Sequence, residues 1–225
     1  MIRPQHIMVI APHPDDETLG CGGTMLKFKD KGVHLTWVIA TKMTSKLGYT
    51  HQQIKKRELE IKEVAKAYGI QKPLCMGYAP AQIDRVGLDV LVNDFRTLIH
   101  DLKPDTIFIP NRTDIHSDHR IISQACLSAV KPFRCPWVKN ILMYEVISET
   151  DLNQGLPEAV FNPQIFVDIS SFMERKIEIM KLFSTEMAKS PFPRSEEKIR
   201  AMASCRGGSL EMHYAESFML LRGLN

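Results

Sequence analysis

The sequence predicts an α/β fold, a three-layer α/β/α sandwich with a mostly parallel, Rossmann-like sheet. Short β-rich runs alternate with longer helical patterns along the chain. The first run, Ile7-Met8-Val9-Ile10, is apolar throughout, as strands buried on both faces are. Helix stops recur between the runs, at Gly32, Gly69 and Pro104.

The elements follow in order. Residues 17–31 read as a helix after the first strand. His34 to Ala40 is β-branched and reads as the second strand. Residues 41–50 are polar and predict a loop. His51 to Tyr68 carries Ile54, Leu59, Ile61, Val64 and Ala65 at helical spacing. Lys72 to Met76 reads as a third strand, 77–87 as loop and Leu88 to Leu102 as helix. Asp105 to Pro110 is the next strand and runs into a polar cluster at 111–119. Asp118 to Lys131 reads as helix, and Asn140 to Val146 and Ile165 to Ile169 as strands. Ser170 reads as the N-cap of a helix ending near Ser184. Residues 190–193 are a break, and Arg194 to Cys205 is the last clear helix. No repeat or linker interrupts the 225 residues, which predicts one domain over 1–225.

Composition narrows the function classes. The chain is 44% hydrophobic and 24% charged, with a net charge of +3. That charge is too small to predict a nucleic-acid or membrane-surface partner. Lys55-Lys56-Arg57 is followed by Glu58, Glu60 and Glu63, the pattern of a solvated helix face. Cys21, Cys75, Cys126, Cys135 and Cys205 are scattered, without a Cys-x-x-Cys pair. They predict reduced, buried thiols in a cytoplasmic protein. Arg3 to His6 interrupt any signal-peptide pattern, and no apolar stretch approaches the roughly eighteen residues of a membrane span.

Two polar clusters each close a predicted strand. The first is Pro12-His13-Pro14-Asp15-Asp16-Glu17, where the prolines keep His13 out of helical geometry. His13 and Asp16 are three apart and can address one point, while Asp15 aims elsewhere. The second is Asp114-Ile115-His116-Ser117-Asp118-His119. Open α/β sheets place ligands at the carboxyl ends of their strands, so the clusters are expected to meet. His13, Asp16, His116 and His119 can then converge, and catalytic zinc takes three N/O ligands with a fourth position open. Gly20, Gly22 and Gly23 fit close packing of helix on strand better than a phosphate cradle, because their spacing matches no phosphate loop. A nucleotide-binding protein is disfavoured on the same ground. His6, His34, His51, His100 and His213 read as ordinary histidines, with a site role left open for His213.

These motifs resemble the LmbE-like, or PIG-L, family of zinc-dependent N-deacetylases. Pro12-His13-Pro14-Asp15-Asp16-Glu17 and His116-Ser117-Asp118-His119 are similar to its two signature motifs, in the same order and about a hundred residues apart. Arg206-Gly207 and Tyr214 to Phe218 are similar to its closing segment. The resemblance implies His13, Asp16 and His119 as zinc ligands and Asp15 as general base. It implies that His116 stabilises the tetrahedral intermediate or protonates the leaving amine. Asp118 is expected to orient a histidine, with helix capping as its other role. Arg57 and Asp84 are the candidates for sugar contacts, against plain surface charge. Tyr78 to Ile83 departs from the family's shorter spacing, Ser184-Thr185-Glu186 stands where Ser-Gln is common, and Met212-His213 precedes Tyr214. The implied substrate is a small N-acetylglucosamine-type sugar or glycoconjugate. The alternatives are a non-sugar amide or thiol conjugate, or a sugar-binding protein of the same fold without catalysis. Iron or cobalt also suit two histidines and an aspartate. A homo-oligomer is compatible with the resemblance.

Overall fold

The computed structural model describes residues 3–153, 155, 157–208 and 210–224. Seven strands form one sheet: β1 (His6–Ala11), β2 (His34–Thr41), β3 (Leu74–Tyr78), β4 (Thr106–Pro110), β5 (Asn140–Tyr144), β6 (Ile165–Asp168) and β7 (Ala215–Gly223). Their order is β3-β2-β1-β4-β5-β7-β6. The pairs from β3 to β5 are parallel, and β7 runs antiparallel between β5 and β6. Six α-helices cover the described sheet: α1 (Asp16–Asp30), α2 (His51–Ala67), α3 (Leu88–Leu102), α4 (Ser117–Ala129), α5 (Met173–Leu182) and α6 (Glu196–Gly208).

Side chains on a strand alternate between faces, and β1 divides the core accordingly. Ile7, Val9 and Ala11 pack with residues of α1, α2, α5 and α6. Met8 and Ile10 pack with residues of α3 and α4 on the other face. The α/β/α sandwich and mostly parallel sheet expected from the sequence are both present.

The chain winds outward from β1 through β2 to β3, then returns to start β4 on the other side of β1. The order reverses there, which opens a crevice beyond the carboxyl ends of β1 and β4. Both polar clusters leave the sheet at this point.

The glycines of α1 serve packing. A Cβ on Gly20 would lie 2.3 Å from the Tyr144 ring, and one on Gly23 would lie 2.7 Å from Ile169. Ser170 is not the N-cap of α5, which a short 3₁₀ turn, Ser170–Phe172, precedes. Ile169 is the N-cap of that turn, and the Asp168 carboxylate before it accepts from both the Ser170 amide (2.9 Å) and hydroxyl (2.6 Å). The third strand starts two residues later than expected, at Leu74. β7 was not expected as a strand. Its alternation is masked by buried Glu216 and Ser217, which pair with Lys176 and Glu145. All five cysteines are free, but Cys75 and Cys205 are exposed rather than buried.

Candidate functional site

The turn after β1 places three acidic side chains with different fates. Asp16 opens α1, and its Oδ2 accepts from the His13 backbone amide at 2.8 Å. Asp15 stands just before the helix at φ 137°, a region that side-chain-bearing residues rarely adopt. Its carboxylate makes no capping bond to α1 and instead accepts from Arg194 Nη1 at 2.7 Å. Glu17 is fully buried and accepts from the Asp15 amide (3.1 Å) and the Thr18 hydroxyl (2.6 Å). Burial first, then the charges of Asp15 and Asp16, push the Glu17 carboxyl up to about 8.

The second cluster meets the first. His13 Nδ1 lies 3.4 Å from Asp16 Oδ2, and His119 Nε2 lies 3.3 Å from the same oxygen. Those separations exceed the usual hydrogen bond. They fit two ligands held at about 2.0–2.1 Å from one tetrahedral zinc, which stand roughly 3.3 Å apart. The outward ring nitrogens are tied at true hydrogen-bond distance. His13 Nε2 meets Asp118 Oδ2 at 3.0 Å, and His119 Nδ1 meets Asp114 Oδ2 at 2.8 Å. A carboxylate behind each imidazole fixes its tautomer and raises its basicity toward a metal. His13, Asp16 and His119 can therefore hold a divalent ion.

The electrostatics match that geometry. Burial pulls His13 and His119 down, but their carboxylate partners win and raise them to about 9 and about 10. Asp16 is also penalised by burial, yet His119 and His13 hold it well below the usual carboxylate range. Asp15 is pushed up by burial and by Asp16, against the pull of Arg194. His116 is lowered to about 4 by burial and by the neighbouring histidines. Its Nδ1 caps α4 by accepting from the Asp118 amide at 3.1 Å, so the neutral ring carries its proton on Nε2.

The histidine that Asp118 faces is His13. Asp118 does not cap α4, whose N-cap is His116. Its carboxylate instead receives the amides of Ala81 (2.7 Å) and Ile83 (3.3 Å), which ties the 81–83 segment to the site.

These groups open onto a cleft of about 1570 Å³ bordered by His13, Asp15, His116, Arg57, Glu149 and Arg194. Arg57 reaches inward from α2 to the Pro14 carbonyl at 3.2 Å and to Glu186. Asp84 is exposed on the turn at Ile83–Arg85, outside the cleft lining. His213 is exposed, sits near Asp168 and is likewise absent from the lining. Within the 147–164 segment expected to shape the cleft, Gln154 and Leu156 lie outside the described residues.

Sequence reasoning gave no role to Asp114, Glu149 or Arg194, and noted Glu186 only within the departing segment Ser184-Thr185-Glu186. Asp114 lies inside the second cluster, and its spacing to His119 was the available signal. Arg194 is 179 residues from Asp15, and no local pattern links them.

Fold and site together define an α/β protein with a cleft at its sheet switch point and donors suited to one divalent cation. The chain matches the model of the PIG-L family, GlcNAc-PI de-N-acetylase, over residues 8–130, and it belongs to that family. A probable N-acetyl-α-D-glucosaminyl L-malate deacetylase 2 from Bacillus cereus is 27% identical over 184 residues, 77% of this chain and 80% of the relative. The diacetylchitobiose deacetylase of Thermococcus kodakarensis is 24% identical over 230 residues, 97% of this chain and 84% of the relative. The structure of N,N′-diacetylchitobiose deacetylase from Pyrococcus horikoshii superposes with a TM-score of 0.76 at 22% identity, covering 98% of this chain and 85% of that one.

Proposed function

We propose that this chain is a zinc-dependent hydrolase that removes the N-acetyl group from an N-acetylglucosamine-type sugar or glycoconjugate. The observation that carries the reading is the His13, Asp16 and His119 donor set, spaced for one divalent ion, with His13 and Asp15 on the lining of an open cleft. Family membership and the named relatives support the choice of an N-acetyl sugar. A divalent zinc in that set supplies Lewis-acid polarisation and a water acidic enough to ionise near neutral pH.

The chain's own residues supply the rest. Asp15 is the general base. Its strained backbone and its Arg194 contact aim the carboxylate away from α1 and hold it in the cleft. It takes the proton of the attacking water and returns it to the departing nitrogen, which leaves acetate and a free amine. His116 keeps its proton on Nε2 and donates to the carbonyl oxygen as negative charge develops there. Asp114 and Asp118 keep the two histidine ligands aligned. Arg57 forms part of the cleft wall against which the sugar lies, with its guanidinium held by the Pro14 carbonyl and Glu186. The chain works as one domain over 1–225. Its unpaired cysteines favour the cytoplasm.

Amine release from N-acetylglucosamine, diacetylchitobiose and N-acetylglucosamine glycosides, measured with zinc-reconstituted protein, tests the reading. Turnover that needs zinc is expected. Stoichiometric zinc on folded protein with no release from any of these sugars would contradict it.

A further inference from the structure

The cleft carries an unusual charge balance beside the candidate metal set. Four carboxylates, Asp15, Glu60, Glu149 and Glu186, meet two guanidinium groups, Arg57 and Arg194. Every nitrogen of both arginines is already engaged. Arg57 uses Nε on Glu60 (3.4 Å), Nη1 on the Pro14 carbonyl (3.2 Å), and Nη2 on Thr185 (3.0 Å) and Glu186. Arg194 uses Nε on Ser148 (2.9 Å), Nη1 on Asp15 (2.7 Å) and Glu186 (3.2 Å), and Nη2 on Glu149 (3.3 Å).

Glu186 is the hinge of this arrangement. It is the one carboxylate that touches both arginines, Oε1 on Arg57 and Oε2 on Arg194. It is also the most exposed of the four, at 26% against 12% for Glu149. A ligand entering the cleft therefore meets an arginine pair whose charge is cancelled and a carboxylate that still accepts hydrogen bonds. The other cations on the cleft border, such as Lys42 and Lys56, are exposed side chains screened by solvent.

We propose that Glu186 is the specificity-determining residue of the cleft, admitting N-acetyl sugars whose neighbouring group is neutral or carries an amine and rejecting those that carry a carboxylate or phosphate. The inference rests on the deacetylase reading and narrows its substrate class. A bound anion must break an arginine–carboxylate contact and leave a carboxylate poorly solvated, while lying against like charges. A hydroxyl or ammonium group donates to Glu186 without breaking either contact.

The test compares three probes on the zinc-loaded protein: N,N′-diacetylchitobiose, its mono-deacetylated form, and the malate glycoside of N-acetylglucosamine. For each probe, kcat/KM is measured on the unaltered protein, with calorimetric binding to the same protein for any probe it does not turn over. The expected preference for the two chitobiose probes over the malate glycoside is about tenfold or more, the scale of one charge interaction in a cleft. Glu186→Gln removes one of the four carboxylates, leaves each arginine with one charged partner fewer, and is expected to shrink that ratio by about as much, chiefly by tightening the malate glycoside. Equal or better handling of the malate glycoside by the unaltered protein overturns the inference, as does an unchanged ratio in folded Glu186→Gln protein. Binding in the expected order without turnover upholds the inference and sinks the deacetylase reading. Absence of binding by all three probes overturns the inference as well.

Discussion

Asp15 and its neighbours show how residue-level forces divide labour among similar groups. Asp15 and Asp16 are adjacent, yet Asp16 is drawn down by two histidines while Asp15 is pushed up by burial and by Asp16 itself. That split suits one ligand and one base. Asp15→Asn is expected to keep its metal and lose turnover by about 10²–10⁴-fold, the usual worth of general-base catalysis; metal analysis beside a rate assay checks both halves. Asp114→Asn removes the negative charge behind His119 and should weaken metal affinity by about 10–100-fold, read by competition with a chromophoric chelator. The ligand and base candidates were legible because four of the residues sit in two short clusters after apolar strands. Arg194 was not, because Asp15 is 179 residues away and a lone arginine offers no periodic signal.

At the scale of elements, α1 is tied into the fold by a buried ion pair. Lys176 of α5 donates to Glu216 of β7 at 2.7 Å and to the Leu19 carbonyl at 2.8 Å. Glu216 also receives the amides of Gly23 (2.8 Å) and Thr24 (2.7 Å). Lys176→Met leaves Glu216 buried without its counter-charge and is expected to cost about 3–5 kcal/mol of stability, measured by urea denaturation. Retention of full stability would mean that the backbone amides alone satisfy Glu216. This network explains why β7 escaped sequence reasoning: a charged residue inside a strand reads as loop until its partner, 40 residues earlier, is in view. The long helices and the parallel strands were legible because their spacing and stops are local. Ser170 misled because its hydroxyl donates to Asp168 instead of capping the following turn.

For the whole molecule, metal, protons and stability are linked. Without metal, His13 and His119 titrate near 9 and 10, above the ordinary histidine value of 6.5. Their raised values contribute stability that is full below pH 6.5 and fades as pH rises through 9 to 10. Metal must displace those protons, so its affinity should tighten with rising pH while the metal-free protein weakens. Thermal melts at pH 6 to 9 with and without chelator should therefore diverge, the metal-loaded form gaining more at the higher pH. Parallel curves would place the metal away from these histidines.

The most direct measurement is acetate release from diacetylchitobiose by metal-stripped protein as zinc is titrated back, for the unaltered chain and Asp15→Asn. The account predicts activity rising to a plateau at one zinc per chain, with the variant binding the same zinc and releasing almost no acetate. Full activity in the stripped protein, or an Asp15→Asn variant as fast as the unaltered chain, would contradict it.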